Sequence, residues 1–151
     1  MSTRPIIHST VACVIRRDER FLLVEEYRGG AHSVFNQPAG HIEPGEGPMA
    51  AALREAAEET AWQVRLEAYL GLYVLHTPSG LTFHSHGFIA TAQAPLTRAI
   101  DPDIHAVHWL SKAKIDALHD AGRLRSPLVL ERIDDALAGR HYPLAVLHER
   151  P

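Results

Sequence analysis

Between Tyr27 and Pro48 the chain carries Gly29, Gly30, Pro38, Gly40, Pro44, Gly45, Gly47 and Pro48, and then runs from Met49 to Trp62 without a glycine or a proline. That contrast constrains the fold more than any other feature. The first stretch has too many breakers for a long regular element, although Val34-Phe35-Asn36-Gln37 suits a short strand. The second supplies alanines, leucine, arginine and glutamates, which are good helix formers. Pro48 suits the first helical position, and Glu46 sits beside the positive end of the helix dipole. A helix is therefore expected from Pro48 to about Trp62.

The remaining pattern is mostly strand. Thr10–Ile15 and Phe21–Val24 are apolar runs around the polar segment Arg16–Arg20, which reads as a hairpin. Further strands are expected at Arg65–Leu75, Leu81–Thr91 and Ile104–Leu110, the first two separated by Pro78-Ser79-Gly80. Ser111 can cap a helix running through Ala121 and stopped by Gly122, and a last helix, about Pro127–Ala138, closes at Gly139. Strand runs broken by a few helices, without regular βαβ alternation, indicate an α+β fold with a mixed sheet.

With 151 residues the chain suits one domain spanning 1–151. Its 46% hydrophobic and 22% charged residues are ordinary for a globular protein. A net charge of −3 gives no electrostatic means of gripping a nucleic-acid polymer, while one or two local cations suffice for a small phosphorylated ligand. The single cysteine, Cys13, excludes an intrachain disulfide framework and a Cys-based zinc site. There is no signal-peptide pattern at Met1–His8 and no membrane-length apolar run, so a cytoplasmic chain without a membrane partner is expected.

At 100° per residue, Glu55, Glu58 and Glu59 share one face of the Pro48–Trp62 helix within an arc of about 100°. Met49, Leu53, Ala57 and Ala61 fall opposite, where they are expected to pack on a sheet. On a solvated face three glutamates cost little. In a cleft, two carboxylates ~6 Å apart repel by about 3 kcal/mol at an effective dielectric of 20, so the trio either takes up protons or recruits a cation. Oxygen-only ligands select Mg²⁺ or Mn²⁺ over zinc, and such an ion favours a di- or triphosphate as guest.

The segment Gly40-His41-Ile42-Glu43-Pro44-Gly45-Glu46, followed after Gly47–Leu53 by Arg54-Glu55-Ala56-Ala57-Glu58-Glu59-Thr60-Ala61-Trp62, resembles the Nudix box. Gly40, Glu46, Arg54, Glu55, Glu58 and Glu59 are all in register, a coincidence with a chance probability on the order of 10⁻⁵ for residue types near one in fifteen. Ala56 is small for the apolar slot, and Ala61 replaces the final glycine, which bears on how the helix ends. Val11-Ala12-Cys13-Val14, Phe21–Glu26, Asn36–His41, Leu124–Val129 and Tyr142-Pro143-Leu144 are similar to the NudJ-type subgroup of Nudix phosphatases.

The resemblance implies an αβα sandwich around a mixed sheet and Mg²⁺-dependent hydrolysis of nucleoside di- and triphosphates with release of orthophosphate. Thiamine diphosphate and its hydroxymethylpyrimidine diphosphate precursor are further substrates it suggests. It also implies that Glu55, Glu58 and Glu59 hold the metal with the Gly40 carbonyl, one of Glu55 or Glu58 doubling as base. Arg54 belongs to the same catalytic set. Its guanidinium suits a two-pronged hold on Glu46, with direct phosphate contact as the lesser reading.

Four residues outside the box are candidate substrate contacts. Arg28, beside Gly29-Gly30, suits outer phosphates, and Phe35 suits stacking on a base or thiazolium ring, against core packing as its default. His84 and His86 share one strand face with Thr82 and can wall a pocket, sit on an exposed sheet face or form a two-His metal site. Arg125-Ser126-Pro127 opens a helix and serves either an anion or ordinary capping. The rival functions are a pyrophosphatase for ADP-ribose or another nucleoside diphosphate derivative, and a Nudix-fold module that binds a nucleotide without cleaving it. No heptad repeat appears, so monomer and homodimer both stay open.

Overall fold

A computed structural model describes residues 3–151. Its hairpin joins β1 (Ile7–Arg17) to β2 (Arg20–Glu26) through Asp18 and Glu19, whose φ values of 51° and 64° make the two-residue turn that follows the natural strand twist. The breaker-rich stretch holds just two three-residue strands, β3 (Val34–Asn36) and β4 (Ala39–His41). After them come α1 (Pro48–Thr60), β5 (Trp62–His76), β6 (Thr82–Pro95), β7 (Ala106–Ser111), α2 (Lys112–Asp120) and α3 (Leu128–Leu137). The expected elements appear in the expected order, and β4 is a strand the sequence pattern does not indicate. Ser111 caps α2 by accepting the Lys114 amide at 3.2 Å, and Gly122 and Gly139 follow the helix ends with φ of 70° and 73°.

These strands form one mixed sheet in the order β3-β2-β1-β6-β5, with β4 added against β1 and β7 against β2. β1 and β6 run parallel, from Ile7 opposite Thr82 to Arg16 opposite Thr91, and the other pairs are antiparallel. Strand alternation sends neighbouring residues to opposite faces. Leu23 and Val14 meet Ile115 of α2 and Ile133 of α3 on one side. Leu22, Val11, Cys13 and Ile15 meet Ala51, Ala52 and Ala56 of α1 on the other. Helices thus cover both faces, as the sandwich expectation required. Cys13 is buried, and desolvation pushes its thiol up to about 12, so it is an inert packing residue. Among the described residues no helix is long and apolar enough to cross a membrane.

Two details of α1 correct the sequence reading. The stripe that meets the sheet is Ala51, Ala52, Ala56 and Thr60, whereas Leu53, expected inside, is 42% exposed. Alanines on that flank let the helix backbone lie close to the strands, which a leucine would prevent. The helix also stops at Thr60 rather than at Trp62, and Trp62 opens β5. Ala61 turns the chain with φ 56° and ψ 36°, the left-handed conformation that a glycine would adopt without strain.

Candidate active site

β4 and α1 build the site together. β4 is fixed against β1 by Thr10–His41, Val11–Gly40 and Ala12–Ala39 pairing, which puts Gly40 beside the inner flank of α1. Between them the loop is held by Arg54. Its Nε and Nη2 donate to the two oxygens of Glu46 at 2.9 and 2.7 Å, and Nη2 also donates to the His41 carbonyl at 3.0 Å. Glu46 closes the loop by accepting the Glu43 amide at 3.0 Å. The guanidinium holds the Glu46 carboxyl far down, at about 2, and the carboxylates hold the Arg54 proton on still more firmly.

The same arginine reaches the acidic face. Nη1 donates to Glu55 at 2.8 Å and to Glu58 at 3.2 Å. Glu55 packs so tightly on Gly40 that any side chain at that position would overlap its carboxylate. Glu59 takes the Ala39 amide at 2.8 Å and carries no ion pair among the described residues. Burial, and then the charges of Glu55, Glu26 and Asp101, push the Glu59 carboxyl up to about 8 despite that hydrogen bond. Burial raises Glu55 as well, against the pull of Arg54. Asp101 was not singled out by the sequence. Its amide donates to the Glu58 carbonyl at 2.8 Å, which brings another negative charge to the end of α1.

Glu55 and Glu59 therefore point toward the sheet flank of α1 rather than into bulk water. Among the described residues no three acidic, histidine or cysteine side chains close on one point. The trio is divided, Glu55 and Glu58 on Arg54 and Glu59 on Ala39. The donor set nonetheless fits a hard divalent cation: it is oxygen only, Glu59 is half-buried without an ion pair among the described residues, and Gly40 leaves its backbone open beside Glu55.

A cavity of about 210 Å³ opens next to these groups, with Gly40, Glu59, Arg28, Arg125, Ser85 and Phe83 among its walls. Arg28 lines this cavity with its side chain about half exposed and 3.8 Å from the Glu26 carboxylate. Arg125 and Ser126 reach the same cavity, and Ser126 also accepts the Leu128 amide at 3.2 Å, so capping and cavity lining coincide there.

Three expected contacts are placed elsewhere. Phe35 is 8% exposed and belongs to the core cluster on the α2 and α3 side, with Arg123 over its ring at 5.6 Å. His84 and His86 miss the cavity by one residue of strand parity: Phe83 and Ser85 of β6 face it. His86 instead shares a 2.9 Å hydrogen bond with the Tyr69 hydroxyl. The aromatic ring in the cavity wall is thus Phe83, stacked on His8 with centroids 4.9 Å apart. Sequence reasoning also passed over Arg132 and its meeting with Gln37, a contact across 95 positions that no local pattern signals.

The cleft is lined by two carboxylates, buried Glu26 and half-buried Glu59, together with Arg28, Arg125 and Arg132, and with this mixed sheet it is that of a hydrolase acting on phosphorus-containing anhydrides. The family model of the NUDIX domain matches residues 7–132, and the chain belongs to that family, whose hydrolases generally use divalent metals. It is 37% identical to the Phosphatase NudJ of Escherichia coli (strain K12) over 141 residues, 93% of this chain and 90% of that protein. Among solved structures, a NUDIX hydrolase from Nitrosomonas europaea superposes with a TM-score of 0.89 at 37% identity, covering 97% of this chain and 98% of that one. An ADP compounds hydrolase, 22% identical with a TM-score of 0.74 over 91% of this chain and 76% of that one, shares the fold.

Proposed function

We propose that the protein is a Mg²⁺-dependent phosphohydrolase that cleaves phosphoanhydride bonds of nucleoside di- and triphosphates and releases orthophosphate. Thiamine diphosphate and its hydroxymethylpyrimidine precursor diphosphate are further substrates in this reading, and Mn²⁺ substitutes for Mg²⁺. The observation that carries it is the shared cavity, which Glu59 and Gly40 line together with Arg28 and Arg125. The likeness to a protein named as a phosphatase supports orthophosphate as the product.

Glu55, Glu58, Glu59 and the Gly40 carbonyl would hold the cation, which when bound supplies positive charge opposite the non-bridging phosphate oxygens. Either Glu55 or Glu58 takes the proton from the attacking water. Arg54 is a positioning residue, since its hydrogen bonds run to Glu46, Glu55, Glu58 and the His41 carbonyl. Arg28 and Arg125 receive outer phosphate oxygens, a task for which guanidinium forks are suited. The ligand is a small phosphorylated molecule rather than a nucleic-acid polymer.

The test is a panel of nucleoside di- and triphosphates, thiamine diphosphate and ADP-ribose, assayed with Mg²⁺ for phosphate and for AMP. Orthophosphate from the first two classes, lost on Glu59→Gln or Glu58→Gln by orders of magnitude in kcat, is the expected result. AMP from ADP-ribose would transfer the assignment to a pyrophosphatase, and no turnover on any member would leave a nucleotide-binding module.

A further inference from the structure

Arg132 lies on the inner face of α3 and is 5% exposed. Its Nη1 donates to Gln37 Oε1 at 3.1 Å and its Nη2 to Ser85 Oγ at 2.8 Å, while Nε has no partner among the described residues. Both partners are neutral. The Gln37 amide is oriented with its oxygen toward Arg132 because its nitrogen donates to the Val129 carbonyl at 2.7 Å. On the other side the Tyr73 ring covers the guanidinium at 5.5 Å, and the Tyr73 hydroxyl donates to Asp135 at 2.7 Å. Asp135 also accepts Arg140 Nε at 2.9 Å, so that carboxylate is turned to other groups.

A charge taken out of water is costly, and buried charges in folded proteins are as a rule paired. Leu128, Val129 and Ile133 surround this position on α3, and an apolar residue would fill it at less cost. Burial brings the Arg132 pKa down to about 10, which still leaves it charged at neutral pH. Arg132 and Ser85 line the cavity that Glu59, Gly40, Arg28 and Arg125 share. Of the five N–H donors of a guanidinium, two are used.

We propose that Arg132 is a specificity-determining residue that receives a phosphoryl group of the substrate, the one remote from the glutamates, so that the substrate itself is the missing counter-ion. The assignment rests on the phosphoanhydride reading above. It explains why two neutral groups, rather than a carboxylate, position the guanidinium: a carboxylate would neutralise it and compete with the phosphate.

The experiment compares wild type, Arg132→Met and Arg132→Lys by thermal melting, by calorimetric titration with inorganic pyrophosphate, and by kinetics on a nucleoside triphosphate. Arg132→Met removes a buried charge but leaves the Gln37 and Ser85 oxygens without their donor, so the two effects offset and its Tm is expected close to that of wild type. It should bind pyrophosphate about 10-fold or more weakly and raise KM similarly, with kcat changed less. Arg132→Lys should keep part of the affinity. Wild-type pyrophosphate affinity in folded Arg132→Met overturns the proposal, as does a lower Tm with KM unchanged, the signature of a structural role. In the unmutated protein the ¹⁵N resonance of Arg132 Nε should move as pyrophosphate is added. A signal that stays put at saturation, or wild-type protein that binds no pyrophosphate, also overturns it. Binding through Arg132 without hydrolysis of any di- or triphosphate would sink the functional reading and leave the anion site standing.

Discussion

Arg54 grips Glu46 through two parallel hydrogen bonds of 2.9 and 2.7 Å, so the loop before α1 and the second turn of the helix move as one piece. A lysine has one point charge and no fork, and cannot hold Glu46, the His41 carbonyl and Glu55 together. Arg54→Lys should lower stability by about 1–3 kcal/mol, the scale of charged hydrogen bonds, and cut kcat at least tenfold. Denaturant unfolding and steady-state kinetics check both. Unchanged kcat would show that the site does not need the loop held.

Glu46 and Glu59 have opposite pH dependences. Glu46 sits low, at about 2, because Arg54 donates to it, so its contribution is present above the ordinary carboxylate range and lost as pH falls toward 2. Glu59 sits high, at about 8, chiefly through burial. From about pH 4.5 to 8 the folded protein keeps a proton that the unfolded chain has released, so this group makes the metal-free protein less stable as pH rises. Glu59→Gln should flatten that slope in a series of thermal melts. Adding Mg²⁺ at pH 8 should raise Tm and release protons from the carboxyls. A slope equal in wild type and Glu59→Gln would count against a raised Glu59 carboxyl.

Gly40→Ala is expected to abolish most activity while the sheet survives. The added Cβ overlaps the Glu55 carboxylate, which is the end of a side chain and is free to swing away. Glu55 would then be displaced from β4, and a loss of about 100-fold or more in kcat with a native circular dichroism spectrum is expected. Activity within a factor of a few of wild type would remove Gly40 and Glu55 from the site.

Ala61→Gly should stabilise the protein. The left-handed conformation at φ 56° costs a non-glycine residue about 1–2 kcal/mol, part of which is returned by the greater freedom of glycine in the unfolded chain. A net gain of about 0.5–1 kcal/mol corresponds to roughly 1–4 °C in Tm for a chain of this size. Activity should not change, because Ala61 lies outside the site. A lower Tm would mean that neighbouring contacts, rather than backbone preference, set this turn.

Much of the fold was legible in the residues. Breakers from Gly29 to Pro48 kept that stretch free of long elements, the short strand at Val34 was legible while β4 was not, Pro48 started α1, and Ser111 capped α2 as its hydroxyl chemistry predicts. The spacing of Glu55, Glu58 and Glu59 put them on one helix face, and Arg54 meets Glu46 as the guanidinium fork suggested. What failed was orientation. Leu53, expected on the buried side, is exposed; Phe35 takes its default place in the core rather than beside a ligand, and of the places open to His84 and His86 the cavity wall goes to Phe83 and Ser85.

The sequence alone settled relative angles within each element, because a helix advances by about 100° and a strand alternates every residue whatever surrounds it. Which flank of α1 meets the sheet, which parity of β6 faces the cavity, and the meeting of Arg132 with Gln37 and Ser85 were decided by tertiary packing. Those choices depend on contacts between segments far apart in the chain, where close approach of alanines to strands and the burial of an unpaired charge are weighed together, and no local pattern encodes that outcome.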